Sequence, residues 1–340
     1  MLRPEILPTH TPALFDAAVE RAAAALRRGE VVALPTETVY GLAANALDEQ
    51  AVRRIFEIKG RPAHNPIIIH VADAAMARRC AAHWPALADQ LAGAFWPGPL
   101  TLVLERAPEI PGVVTAGGPT VGVRWPSHPL MQAVIRACGF PLAAPSANLS
   151  NEISPTNADH VAQSLGGRVA LIIDGGQSQV GIESTVLDLT TTSPHLLRPG
   201  MIHEESLLAV TGDLHTLETA HGPLRSPGQL RKHYAPKARL IIRSWRNEAE
   251  FAAELARLLA DTTAPVAASE IFVIAHTHIP LHTAVGRVSV IPHDAEAFAR
   301  AIYSELHACD AGGARLILAE AVPPGPEWRA IADRLQRAAA

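Results

Sequence analysis

The chain has 340 residues, more than one typical domain needs and enough for two. Hydrophobic residues make up 48% and charged residues 18%, a globular balance that excludes disorder of the chain as a whole. The formal net charge of -4 argues against a nucleic-acid coat or a membrane-surface protein, so any phosphate or RNA contact must come from a local group of Lys and Arg.

In chain order, Thr11 followed by Pro12 starts a predicted helix that Gly29 ends. A strand follows at Val31–Leu34. Asp48 caps a helix that runs to Lys59, with Gly60 just beyond it. Apolar strands are predicted near Ile67–Val71, Leu100–Leu104 and Val121–Arg124, and Ser127 caps a helix after them. Further strands fit Leu142–Ala144, Val169–Ile173, Ser184–Leu189 and Leu196–Arg198, and Ser154-Pro155-Thr156 opens a helix between the first two. Short β-branched runs alternating with amphipathic stretches make this an α/β protein.

Thr211–Ala238 changes character, being rich in Gly, Pro, His and basic residues without clear periodicity. It reads as a linker, yet SPGQLRKHYAPKA (Ser226–Ala238) is more specific than a spacer, and a lid is the expectation for it. A second alternation then begins: strands at Ala238–Arg243, Ile271–Ala275 and Arg315–Ala319, and helices at Asn247–Ala260, Asp294–Ala308 and Pro326–Arg337. This predicts a small parallel sheet flanked by helices, a Rossmann-like unit of about 100 residues without GxGxxG. The expected domains are 1–210, a linker or lid at 211–238, and 239–340.

Cys80, Cys138 and Cys309 are far apart and form no CxxC pair, which fits buried thiols in a reduced compartment. The first ten residues lack a signal-peptide layout, and the longest apolar runs fall far short of a bilayer span. A soluble cytoplasmic protein is expected. His276 and His278 follow a strand, but no Cys or HExxH accompanies them, so a surface loop is read there and no metal site.

The chemistry must sit in polar residues after strands of the first domain, since neither GxxxxGK[ST] nor GxGxxG occurs. Pro35–Gly41 (PTETVYG) sets Glu37 and two threonines in a sharply turning loop, with a plain capped turn as the alternative. Lys59-Gly60-Arg61 lets the backbone aim two cations at one anion, which suits a polyphosphate. A solvated helix end explains the same pair. Arg124 ends an apolar strand and needs an anionic partner, either an internal acid or a substrate carboxylate. Ala144 to Asn148 offers small residues for close approach, with Ser146 and Asn148 as hydrogen-bonding groups. Ser154-Pro155-Thr156 could present a helix N-terminus to a phosphate, or Thr156 could simply cap that helix. Ser184 has no GxSxG elbow and no placed His, so it is read as a hydrogen-bonding residue, and Arg198 adds a cation at a strand end.

In order along the chain, PTETVYGLAANA, the KxR of KGRPAHNPIIIHV, FWPGPLTLVL, VGVRWPSHP, the SxN of APSANLS, SPT, GIESTVLD and LLRPG resemble the threonylcarbamoyl-AMP synthases, the YrdC-like family, in their two-domain form. The resemblance is dense over residues 12–202, and HYAP in the linker extends it. It implies a YrdC-like twisted open sheet with helices and a basic concave face, followed by the Rossmann-like unit. It implies a nucleotidyltransferase that takes L-threonine, bicarbonate and ATP as substrates. Mg²⁺ would be bound mainly through ATP, without a prosthetic group. The product would pass to a complex that modifies tRNA. For ATP the family pattern points to Lys59, Arg61, Asn65, Thr120, Ser146, Asn148, Ser154, Arg198 and Tyr234, with Lys59 and Arg61 acting on the triphosphate. For threonine it points to Thr38, with Thr36 as the alternative, and to His70, Arg124, Ala144 through its backbone, and Ser184. Two departures stand out. Asn151-Glu152-Ile153 replaces a usually basic segment, and Gly175–Gly181 lacks a common Cys-Pro. The competing readings are a double-stranded RNA-binding module of the same fold, which the net charge opposes, a carbamoyltransferase relative, which would carry zinc-finger cysteines, and an inactive regulator, which the intact KxR and SxN oppose.

Overall fold

The computed structural model describes residues 3–216, 233–260 and 265–340. The chain divides into two compact units, one of residues 1–150 and 154–230, the other of residues 151–153 and 231–340.

In the first unit the order is β1 (Glu5–Pro8), α1 (Pro12–Arg27), β2 (Val32–Leu34), β3 (Gly41–Asn45), α2 (Glu49–Lys59), β4 (Ile68–His70), α3 (Ala74–Arg79), α4 (Ala86–Phe95), β5 (Leu100–Glu105) and β6 (Thr120–Arg124). It continues with α5 (Pro129–Cys138), β7 (Leu142–Ala143), α6 (Ala158–Leu165), β8 (Leu171–Asp174), β9 (Thr185–Asp188), β10 (His195–Arg198), α7 (Glu204–Thr211) and β11 (His215–Thr216). One mixed sheet joins them in the order β1-β8-β2-β3-β7-β4-β6-β5-β9-β10-β11. Its central strands are buried on both faces, so they read as apolar runs and not as alternations.

The helix ends follow local chemistry. The Thr11 hydroxyl accepts from the Leu14 N–H, and the Asp48 carboxylate from Gln50 and Ala51. Gly60 closes α2 at φ 58, a left-handed conformation that costs a glycine nothing. Two expected caps shift by one residue. His128, not Ser127, caps α5, because Pro129 at the first helical position fixes where the helix can begin. Asn157, not Thr156, caps α6, while the Thr156 hydroxyl lies 3.2 Å from Nδ1 of His160.

The second unit holds β12 (Arg239–Arg243), α8 (Glu248–Ala260), β13 (Ile271–Ala275), β14 (Arg287–Val290), α9 (Ala295–Ala311), β15 (Leu316–Glu320) and α10 (Arg329–Ala338). Its four strands are parallel in the order β12-β15-β13-β14, the Rossmann-like arrangement expected. His276 departs from the surface-loop expectation. It is buried just past β13, its backbone N–H donates to Glu320 Oε2 at 2.8 Å, and its ring packs on Trp328. Of the proposed lid, residues 226–232 lie outside the described residues. All three cysteines are buried and free.

Candidate active site

The loop between β2 and β3 is rigid because its own carbonyls are taken. The Thr36 carbonyl accepts from the Ser178 hydroxyl, that of Glu37 from the Val180 N–H and that of Thr38 from the Gly181 N–H. Inside it a hydroxyl chain runs in one direction. Arg124 Nη1 donates to Thr38 Oγ1 at 2.9 Å, that hydroxyl lies 2.9 Å from Thr36 Oγ1, and Thr36 donates to the Val39 carbonyl at 2.6 Å. Thr36 therefore holds the turn, while Thr38 faces Arg124.

Arg124 ends β6 beside His70, its register partner at the end of β4. Its Nε donates to the Gly98 carbonyl at 3.3 Å, and its Nη2 lies 2.7 Å from Glu37 Oε1. That last contact is an ion pair by distance, but its angles do not make a hydrogen bond, and neither Glu37 oxygen nor Arg124 Nη2 has one. The internal acid considered as an alternative partner for Arg124 is thus present. Nδ1 of His70 and both amide atoms of Asn65 are also buried without hydrogen-bond partners. A buried polar group left in that state costs about 1–3 kcal/mol, so these atoms are satisfied by water or by a bound ligand. Burial, and then the charge of Arg124, hold the His70 ring well below the usual imidazole range, so it is neutral.

The cations assigned to the triphosphate are not on a solvated helix end, since Lys59 is only 2% exposed and Arg61 8%. Lys59 Nζ donates to the carbonyls of Ser146 and Asn148, at 2.5 Å each. Arg61 donates to the carbonyls of Asn65 and Pro66, at 3.1 and 2.7 Å. The KxR pair thereby braces the SxN loop and the turn before β4. Arg198, at the end of β10, donates through Nε to the Ser184 carbonyl and through Nη2 to its hydroxyl, both at 3.0 Å. That hydroxyl also lies 2.8 Å from Thr101 Oγ1, an arrangement of hydrogen bonding and not of an activated nucleophile. Gly200 lies so close to β9 that a Cβ there would stand 2.6 Å from Thr185 Oγ1. Ser154 donates to Glu183 Oε1 at 2.6 Å.

With this geometry in view, the comparisons are specific. The Sua5/YciO/YrdC family model, described as telomere recombination, matches residues 24–200, and that of the threonylcarbamoyl-AMP synthase C-terminal domain matches residues 202–340. The chain is 40% identical over 331 residues to the threonylcarbamoyl-AMP synthase of Pyrococcus abyssi, covering 93% of this chain and 92% of the relative. It belongs to the threonylcarbamoyl-AMP synthase family. The Bacillus subtilis threonylcarbamoyl-AMP synthase is 50% identical over 231 residues, 67% of each chain. Pyrococcus abyssi Sua5 complexed with L-threonine superposes with a TM-score of 0.88 at 38% identity, covering 98% of this chain and 96% of that one.

Within this family frame, the structure brings Thr38, His70 and Arg124 together, joins Lys59 to Ser146 and Asn148, and joins Ser184 to Arg198. The Ala144 N–H is taken by the Ile68 carbonyl, and Thr120 opens β6 opposite Glu105. Tyr234 belongs to the second unit. It is buried at φ 62, its ring 5.9 Å from that of Tyr303, with the Arg334 guanidinium 5.5 Å from its centroid. Asn151 and Glu152 meet Ala235 in the same unit, where the Ala235 N–H donates to the Asn151 carbonyl at 2.9 Å. Sequence reasoning gave no site role to Glu37, Thr101 or Glu183. Only the acidic side chain in an apolar-flanked loop could have flagged Glu37.

Proposed function

We propose that the chain forms threonylcarbamoyl-AMP and pyrophosphate from L-threonine, bicarbonate and ATP. The observation that carries this reading is four buried cations, Lys59, Arg61, Arg124 and Arg198, at element ends of one sheet unit. Carboxylate, carbamate and triphosphate are all anions, and displacement at phosphorus needs positioning and charge neutralisation more than a covalent nucleophile. The threonine amine, once it has lost its ammonium proton, forms a C–N bond to the carbon of bicarbonate as water leaves, and an oxygen of the resulting carbamate attacks the α-phosphorus of ATP and expels pyrophosphate. Arg124 holds the threonine carboxylate, with Thr38, His70, Ala144 and Ser184 around the amino acid. Lys59, Arg61, Asn65, Thr120, Ser146, Asn148, Ser154, Arg198 and Tyr234 serve ATP.

Mg²⁺ is proposed to arrive with the nucleotide, since it is commonly held through substrate phosphates and few protein carboxylates. When bound, Mg²⁺ neutralises phosphate charge. No described helix is long and apolar enough to cross a membrane. The cytoplasm is proposed on a separate ground, that the reaction draws on ATP and feeds a tRNA modification. The adenylate, which water destroys, is handed to a tRNA-modifying transferase. The deciding experiment incubates the pure chain with ATP, labelled bicarbonate and either threonine or serine. Threonine-dependent pyrophosphate release with label in an adenylate is expected. Release that ignores the amino acid would overturn the reading.

A further inference from the structure

We infer that Glu37 is the ligand for the amino acid's ammonium group, so that Glu37 and Arg124 together read the zwitterion of the substrate. The inference deepens the proposed function and rests on it. It starts from an arrangement that is costly as it stands. Glu37 and Arg124 are each 4% exposed, and the carboxylate lies 2.7 Å from Nη2. Two opposite charges at that distance should share an aligned hydrogen bond, and these do not. Both carboxylate oxygens and Nη2 keep their hydrogen-bonding capacity unspent. The rest of Arg124 is already engaged, Nη1 with Thr38 and Nε with Gly98. The guanidinium is held by those two acceptors, and the backbone of the loop that carries Glu37 is held by the Val180 and Gly181 N–H groups, which fixes where in the fold the pair stands.

An α-amino acid carries a carboxylate and an ammonium on one carbon. It complements an Arg–Glu pair whose facing edges are unsatisfied. Laid against those edges, with the Glu37 side chain turning aside to admit it, its carboxylate accepts from Nη2 and its ammonium donates to the Glu37 oxygens. One misaligned contact becomes two charge-assisted hydrogen bonds. Neighbouring groups agree with this assignment of charges. His70, beside Arg124, is neutral and adds no second cation that would repel the ammonium. Thr38 accepts from Arg124 and Thr36 is used by its own turn, so Glu37 is the loop's one charged acceptor for the amine. A substrate with the carboxylate but without the ammonium would leave Glu37 buried and unsatisfied. A site built around a polar group rejects an analogue lacking that group far more strongly than an apolar pocket rejects a missing methylene.

The test compares L-threonine with 2,3-dihydroxybutanoate, which replaces the ammonium by a hydroxyl, using calorimetry on the full chain. The parent should bind threonine tighter by about tenfold or more. Glu37→Gln, folded by circular dichroism, should compress that ratio to within about threefold, mainly by weakening threonine and not by improving the analogue. A merely structural role would weaken both ligands alike and leave the ratio unchanged, and that result would overturn the inference. So would a parent that binds both acids equally, a measurement that needs no variant to fold. A parent that forms the adenylate yet fails to discriminate sinks this inference alone. A parent that binds neither acid sinks the reading of the site beneath it.

Discussion

His70 and Arg124 are register partners on adjacent strands, and the buried ring gives way by staying neutral. That has a consequence for stability. The folded ring titrates below its unfolded value of about 6.5, so its contribution is fully present above that pH and is lost as pH falls. Between pH 7.5 and 5.5 the chain loses stability through this group. His70→Gln should therefore lose less stability over that interval than the parent, measured by urea unfolding at both values. Equal losses would mean that the ring charges in the folded chain. Lys59 supports a second prediction. Its Nζ holds two carbonyls of the SxN loop, so Lys59→Ala removes both a cation and a brace. Binding of a non-hydrolysable ATP analogue should weaken by about tenfold to a hundredfold, while threonine binding stays nearly unchanged. Unchanged nucleotide affinity in calorimetry would return Lys59 to a structural role. The residue types at Lys59, Arg61, Arg124 and Arg198 were legible in the sequence, but their partners were not. Backbone carbonyls as the acceptors of Lys59 and Glu37 beside Arg124 depend on contacts between residues 87 or 89 positions apart, which no local pattern records.

At the scale of elements, the strongest local signals held. Ile271–Ala275 is the strand its β-branched run predicts, and Asp48, Asp294 and Gly60 mark helix ends as expected. The strand Gly41–Asn45 was not legible, because GLAAN has no strand propensity of its own and exists by pairing with β2 and β7. The short helices α3 and α4 escaped for a similar reason, since few turns give little periodicity to read. In the second unit, the end of β15 carries a contact that the scattered histidines did not advertise. Glu320 accepts the backbone N–H groups of His276, Thr277 and His278, and its Oε1 lies 2.9 Å from the His278 ring Nδ1. Burial pushes this carboxyl up, but the N–H groups of His276 and Thr277 outweigh it, and it titrates below the usual carboxylate range. Its stabilisation is therefore complete at neutral pH and fades only in acid. Glu320→Gln keeps the shape but loses the charge, and should lower the unfolding free energy by about 1–3 kcal/mol at pH 7. A parental denaturant midpoint would show that the charge does not hold the turn.

For the whole molecule, the question is what each unit does alone. The first has its own contiguous core, from Ala18 on α1 to Leu207 on α7, and the second has a separate one around Phe251, Val273 and Leu318. Every proposed site residue except Tyr234 belongs to the first unit. A cut at 210 would fall inside α7 and remove β11, which pairs with β10 beside Arg198, so the fragment to make ends at residue 216. Fragment 1–216 should fold, because it holds the described core and every described strand of the first unit. It should bind threonine within about threefold of the full chain, since Thr38, His70, Arg124 and Glu37 are all retained. Adenylate formation should fall more than threonine binding does, because the resemblance gives Tyr234 to ATP and the fragment lacks it. Tyr234→Ala in the full chain should reproduce part of that loss, read as a raised KM for ATP with the KM for threonine nearly unchanged. A fragment as active as the full chain would leave the second unit without a part in the chemistry. A fragment that folds but no longer binds threonine would show that the amino-acid site is not the first unit's own.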